Sequence, residues 1–443
     1  NVTPKDLVGA RIQTVEDSPF VKGRAYIAAY RYMREHDLKP YIYRTDNYGE
    51  SWTLLTDGKN GIPNDFPTRV VREDPKQQGL LYAGTEFGAF VSFDAGRHWQ
   101  PLQQNLPVTP VTDIKVHRND LVISTMGRSA WIMDNITPLQ ELSRMVNAVP
   151  APTGLGFSDE FEQAALPKIA LFPPREAIRM RNAGAAATPQ NPEYPTMGAQ
   201  FDLYFATAPG PDTKLEVLDA KGAALKTWSV GAGVMSGGGR GGRRGGGGST
   251  SIRSEAGMQR ITWDMRYPGP WSPDTPEGGF GGPVVPPGKY SVRLTSGGQT
   301  ITRAFDIKSD PRVASDGVTD ADLAEQVKFQ LQVRDAISDA RKLQQAIEQA
   351  MLKAGLKPGL EPGAVGSSPS TTTYDHPLRQ LYARVVTTPG IYTQGMLIDQ
   401  LQNVQRMITQ ADQKVGKDAY DRYNDLVKEM ASLEAQLKKL SSN

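Results

Sequence analysis

The chain has 443 residues, 44 of them Gly, 33 Pro and none Cys, with a formal net charge of +2. Gly and Pro are the two poorest residues in a helix interior, so this content excludes a chain that is helical throughout. The absence of Cys excludes disulfides, Cys-ligated zinc, iron–sulfur clusters and thiol nucleophiles. The near-neutral charge argues against a dedicated nucleic-acid binder. The four His (His36, His98, His117 and His376) are scattered, so no metal or other cofactor is expected. No apolar run approaches ~18 residues, so no membrane span is expected. The chain begins Asn1-Val2-Thr3, without an initiator Met or a leader segment, and reads as a processed or truncated product. At ~150 residues per domain the length accommodates about three domains.

Residues 1–140 read as short strands. Runs at 24–30, 41–44, 79–83, 89–92 and 120–124 are β-branched or aromatic and bounded by turn residues. An octet occurs twice, 47 residues apart: Thr45-Asp-Asn-Tyr-Gly-Glu-Ser-Trp52 and Ser92-Phe-Asp-Ala-Gly-Arg-His-Trp99. A third unit, from Leu121 to Trp131, repeats the preceding strand pair without the octet. Strand-rich units repeating every ~40–50 residues predict β-propeller blades. Within the octet, Thr45 or Ser92 is followed by Asn47 or Asp94, whose side-chain oxygen can accept from loop N–H groups. Gly49 and Gly96 supply positive φ, and Trp52 and Trp99 can fold back on their own sheet. This chemistry makes the octet a hairpin staple rather than a place for a catalytic Asp46 or Asp94. About three blades are present, too few to close a ring of ~4–8. The remaining blades are therefore expected elsewhere in the parent chain or on a partner chain.

Residues 141–199 read as a linker, with Pro/Gly-rich sequence at 148–154 and an extended Leu171-Phe-Pro-Pro174. Residues 200–312 carry period-2 strands at 200–205, 214–218, 259–263, 289–294 and 300–307, with a turn at 219–222. This predicts a β-sandwich of immunoglobulin or fibronectin type III kind. Two insertions interrupt it. The segment 231–250 is rich in Gly with Arg240, Arg243 and Arg244, and reads as a flexible hairpin loop rather than a nucleic-acid segment. The segment 267–287 is rich in Pro and Gly and carries Trp271 and Phe280, suited to packing on a neighbouring surface. Residues 318–443 read as an antiparallel α-helical bundle. The helices are expected at about 319–351, 376–386, 394–409 and 416–440, with Leu and Met stripes as packing seams.

The octets resemble the Asp box of BNR-repeat proteins, which include sialidases, sortilin-type VPS10 domains and xyloglucanase-type glycosidases. Further segments extend the resemblance: Gly84-Thr85, Gly88 to Gly96, Asn105-Leu-Pro107, Thr125 to Leu139, Thr262 to Pro268, Pro287 to Tyr290 and Asp310-Pro-Arg312. The whole chain is similar to the C-terminal half of a bacterial BNR/VPS10-like, glycosyl hydrolase-labelled propeller protein with a FlgD-like module and C-terminal helices. The resemblance implies an extracytoplasmic, periplasmic or secreted setting, and Asp boxes that lie apart from any active site.

No nucleophile elbow, metal cluster, nucleotide loop or carboxylate pair stands out, which favours a non-enzymatic propeller-based binding or assembly module. Its binding face would include Glu86, Phe87 and Arg128, with protein, peptide or carbohydrate as partner and Arg128 also suited to an ion pair between blades. The alternative is a glycoside hydrolase, sialidase- or xyloglucanase-like, completed by further blades. That chemistry needs two carboxyls about 5–10 Å apart across a sugar, and Glu86, Asp113 and Asp134 are the acids near strand ends. A sortilin-like peptide receptor is a third reading.

Overall fold

The computed structural model describes residues 2–147, 167–181, 197–231, 251–279, 281–360, 376–389 and 394–441. The Arg-bearing part of the Gly-rich insertion, Phe280, the Pro/Gly-rich stretch at 148–154 and most of the loop after Gly355 lie outside them. The protein is mixed and mainly β, with several sheets and C-terminal helices. By contacts it divides into two compact units. The first holds residues 1–175 with two short later segments, and the second holds most of the remainder.

The first unit begins with three antiparallel sheets in chain order. One comprises β1 (Arg11–Asp17), β2 (Ala25–Arg31), β3 (Asp37–Thr45) and β4 (Thr53–Leu54), with a one-turn helix α1 (Tyr32–Glu35) in the β2–β3 connection. The next comprises β5 (Thr68–Glu73), β6 (Leu81–Thr85), β7 (Gly88–Ser92) and β8 (Gln100–Pro101). The last comprises β9 (Val111–His117), β10 (Asp120–Thr125) and β11 (Ala130–Met133), followed by α2 (Thr137–Asn147). Further along, β12 (Ile169–Leu171) pairs with β14 (Ala199–Phe205).

The middle sheet is buried on both faces, which is why β6 and β7 read as continuous apolar runs rather than alternating ones. Val71, Leu81, Ala83 and Phe90 pack on Tyr26, Ala28 and Ile42 of the first sheet. Val70, Leu80, Tyr82, Ala89 and Val91 pack on Val111, Ile114, Leu121 and Ile123 of the third. Gly84 is required at this second contact, since a Cβ there would lie 2.6 Å from a methyl of both Val70 and Val111.

The two octets adopt the same hydrogen-bonded turn. Thr45 and Ser92 hydroxyls accept from the N–H of Gly49 and Gly96, each at 2.9 Å. They donate to Asn47 Oδ1 at 3.0 Å and Asp94 Oδ1 at 2.9 Å. Those oxygens in turn accept from the N–H of Ser51 and His98, each at 2.9 Å. The residue before each Gly, Tyr48 or Ala95, also takes a positive φ. Trp99 is buried and its indole N–H reaches Leu55 O at 3.1 Å, whereas that of Trp52 reaches Val2 O at 2.6 Å.

In the second unit, a five-stranded sheet has the order β13 (Ala177–Arg179), β19 (Gln299–Ser309), β18 (Gly288–Ser296), β15 (Lys214–Leu218) and β16 (Ala224–Ser229). The β18–β19 turn has positive φ at Gly297 and Gly298, as a tight two-residue hairpin demands. Phe201, Trp228, Tyr290, Phe305 and Trp263, the last at the end of β17 (Gly257–Trp263), form a chain of aromatic contacts. After the short α3 (Pro311–Ser315), α4 (Asp320–Lys353) opens on a capping box between Thr319 and Asp322. It shares one apolar core with α5 (Pro377–Val385), α6 (Leu397–Thr409) and α7 (Lys417–Ser441). Trp271 attaches to α4, its backbone N–H donating to Ser338 Oγ at 3.0 Å and its carbonyl accepting from Arg341 at 3.0 Å. No helix among the described residues is long and apolar enough to cross a membrane.

Candidate functional site

Antiparallel strands reverse direction at every turn, so the β2–β3 and β6–β7 connections lie at one end of their sheets. The octets, in the β3–β4 and β7–β8 turns, lie at the other. The loops entering β5 and β9 arrive at the first end, and there they enclose an open cleft of about 430 Å³. Tyr32 and Leu38 line it from the β2–β3 connection, and Glu86 and Phe87 from the β6–β7 turn. Pro67 and the segment 108–110 complete it.

Local bonding fixes the turn that presents Glu86. The Glu86 N–H donates to Pro67 O at 3.0 Å, and the Phe87 N–H donates to Thr85 Oγ1 at 3.1 Å. Gly88 has a positive φ, and a Cβ there would meet the Gln103 side-chain oxygen at 2.0 Å. Phe87 is 41 % exposed and leans on Phe66, ring centroids 4.7 Å apart.

Glu86 and Tyr32 of the cleft are already engaged, with each other and with Arg69. Glu86 Oε1 accepts from Arg69 Nε at 2.6 Å and from the Tyr32 hydroxyl at 2.8 Å. Arg69 Nη2 donates to that hydroxyl at 3.0 Å, closing a three-membered network. The Arg69 guanidinium also lies over the Tyr30 ring, 5.5 Å from its centroid, and Tyr30 stacks on Tyr32. Burial pushes the Tyr32 phenol pKa up, and the bond to Glu86 adds to the shift. Burial works against the Arg69 charge most strongly, but the bond to Glu86, the Glu86 charge, Tyr32 and Tyr30 together hold the guanidinium above its ordinary value. An Arg–carboxylate pair with both side chains mostly shielded behaves as a strut. Removing either partner strands the other charge in a poorly solvated place.

The other candidate acids lie elsewhere. Asp113 Oδ1 takes Arg72 Nη2 at 2.8 Å, while Arg72 Nη1 takes Glu16 at 2.5 Å and Nε donates to Ile114 O at 3.0 Å. Arg72 thereby joins β1, β5 and β9. Asp134 follows β11 at the end of the third sheet opposite the β10–β11 turn. Arg128 is exposed in that turn, makes no ion pair among the described residues and does not line the cleft. Asp46 is held between Arg24 and Arg44. Among the described residues no group of His, Asp and Glu is arranged to hold a metal ion. Tyr32 and Arg69 escaped the sequence reading. Tyr32 sits beside an aromatic strand, and Arg69 in a strand with no turn signature of its own.

No protein-family model matches the chain, and no curated protein matches it. Among solved structures, it is similar to the GH74 enzyme of Niastella koreensis at 13% identity and a TM-score of 0.23, over 28% of this chain and 21% of that one. PorZ is described as an essential bacterial surface component of the type-IX secretion system of Porphyromonas gingivalis. It matches at 13% identity and a TM-score of 0.23, over 67% of this chain and 38% of that one. The extracellular domain of BT4673 from B. thetaiotaomicron matches at 10% identity and a TM-score of 0.21, over 68% of this chain and 31% of that one. The chain thus spans well under half the length of each.

Proposed function

We propose that the protein is part of an extracytoplasmic, propeller-based binding or assembly module without a catalytic centre of its own in the described residues. In this reading the three N-terminal sheets are successive blades, and further blades in the parent chain or a partner complete the ring. The strands of 200–312 form a sandwich, and the helices of 318–443 brace it. The β2–β3 and β6–β7 turns present the binding face, with Phe87 and Leu38 as apolar contacts. Support for further blades comes from the third sheet, where Ile132 is 63 % exposed on the face opposite the shared core, paired with Val122. The extracytoplasmic setting rests on the sequence resemblance.

The observation that carries the non-catalytic reading is the state of Glu86. Its carboxylate is bonded to Arg69 and Tyr32, and neither Asp113 nor Asp134 joins it in the cleft. A glycosidase needs a second carboxyl within about 5–10 Å across the sugar. The Tyr32–Glu86–Arg69 contact is the one feature that favours a sialidase-like alternative, which would use a Tyr/Glu pair. Against it stand the raised pKa of Tyr32, unsuited to a nucleophile, and the largely apolar surroundings.

The test is hydrolysis of aryl glycosides, sialyllactose and xyloglucan oligosaccharides by the full-length protein, beside its Glu86→Gln and Tyr32→Phe variants. The expected result is no turnover above background. Turnover by the native protein that Glu86→Gln abolishes while the fold is retained would overturn the reading.

A further inference from the structure

A buried cationic group in the second unit has no place in the cleft chemistry. Arg179 ends β13 with its side chain 1% exposed. Its Nη2 lies 3.0 Å from Asp412 Oδ1, yet Nε, Nη1 and Nη2 are all buried without a hydrogen-bond partner. Asp412, 2% exposed in the loop after α6, offers that same oxygen to Arg181 Nε at 2.7 Å. One carboxylate therefore serves two guanidinium groups. Arg181 is one-third exposed, and its Nη1 also donates to Thr409 O.

A further positive charge, Arg266 in the β17–β18 connection, acts on Arg179 electrostatically. The Arg266 side chain reaches solvent, and its Nη1 donates to Gly282 O at 2.9 Å. Burial pushes the Arg179 pKa down; Asp412 opposes this, while Arg181 and Arg266 add to it. The Arg266 pKa is lowered too, by burial first, with Asp264 opposing and Arg181 adding. A guanidinium stays protonated in proteins. Its buried N–H groups need acceptors, since a buried donor left unpaired carries its full desolvation penalty. The surplus of donors over acceptors, and of positive over negative charge, calls for a second anion beside Asp412.

We propose that Arg179 and Arg181, beside Asp412, form a binding site for a small oxyanion of phosphate, sulfate or carboxylate type. The planar fork of Arg suits two-point contact with such a group. Arg179 supplies the buried floor and Arg181 the solvent-facing side. Because Thr409 ends α6 and Asp412 lies in the α6–α7 connection, a bound anion braces β13 against the helices. The site is independent of the cleft in the first unit and of its proposed role.

The experiment is titration of the full chain with inorganic phosphate, sulfate and acetate at fixed ionic strength set with chloride. Binding is read by isothermal calorimetry and by the shift in Tm. The expected result is saturable binding of at least one oxyanion. Arg181→Gln, at a part-exposed position, should weaken it at least tenfold, and Arg179→Met should abolish it. If Arg179→Met does not fold, Arg181→Gln, its fold checked by circular dichroism, decides. Absence of saturable binding by the native protein, or binding unchanged in Arg181→Gln, would overturn the proposal.

Discussion

Truncating Glu86 separates a strut from a catalytic acid. In Glu86→Ala, Arg69 loses its ion pair and Tyr32 loses its acceptor, at 2.6 and 2.8 Å respectively. Their side chains stand in shielded surroundings, Arg69 being 10% exposed and Glu86 15%. Breaking one side of a fully buried pair costs about 3–5 kcal/mol; residual solvent access at Glu86 and Arg69 brings the expected loss to about 2–3 kcal/mol. Glu86→Gln keeps the shape and a neutral hydrogen bond, so its loss should be about half of that. Combining Glu86→Ala with Arg69→Ala should show a coupling of about 1–2 kcal/mol, since each residue is the other's main partner. The assay is native-state amide hydrogen exchange across β5 and β6, which reports opening of this region directly. A catalytic carboxylate held at a cost to folding would give the opposite sign, a gain in stability on neutralisation. Opening energies for Glu86→Ala within 0.5 kcal/mol of native, or above it, would refute the strut argument.

Three further perturbations follow from the same geometry. Asp94→Ala removes the acceptor of the Ser92 hydroxyl and the His98 N–H. It should lower stability by about 1–3 kcal/mol in urea unfolding, and Asp94→Asn should recover most of the loss, because Asn47 makes the same bonds in the first octet. Gly84→Ala places a methyl against Val70 and Val111 and should cost about 1–3 kcal/mol through overpacking, read as a lower Tm. Burial and the bond to Glu348 push the Tyr382 phenol pKa up from 10.0 to about 12. The folded helices therefore hold this proton more tightly than the unfolded chain does. The contribution is complete below pH 10 and is lost as pH rises from 10 towards 12, by about 2–3 kcal/mol. Helical circular dichroism during urea unfolding between pH 9 and 12 should show that slope, and Tyr382→Phe should flatten it.

What the sequence determined by itself is what short-range physics controls. The helices of 318–443 follow from apolar spacing at helical period and from local signals such as the Thr319–Asp322 capping box. The octet turns follow from hydroxyl, carboxylate or amide, and glycine placed within eight residues, each bonding to the next. Tertiary structure alone decided the rest. β1, β5 and β9 carry no continuous apolar run, and become strands because a neighbouring strand supplies their hydrogen bonds. β6 and β7 are buried on both faces because a sheet packs on each side, a fact that alternation cannot signal. Glu86 could be singled out as an acid in a turn, but Tyr32 and Arg69, 54 and 17 residues away, determine what it does. Arg179 and Asp412 meet across more than two hundred residues. Residue order specifies the local bonds, whereas the charge and solvent access of an acid or a guanidinium depend on what long-range packing brings beside it.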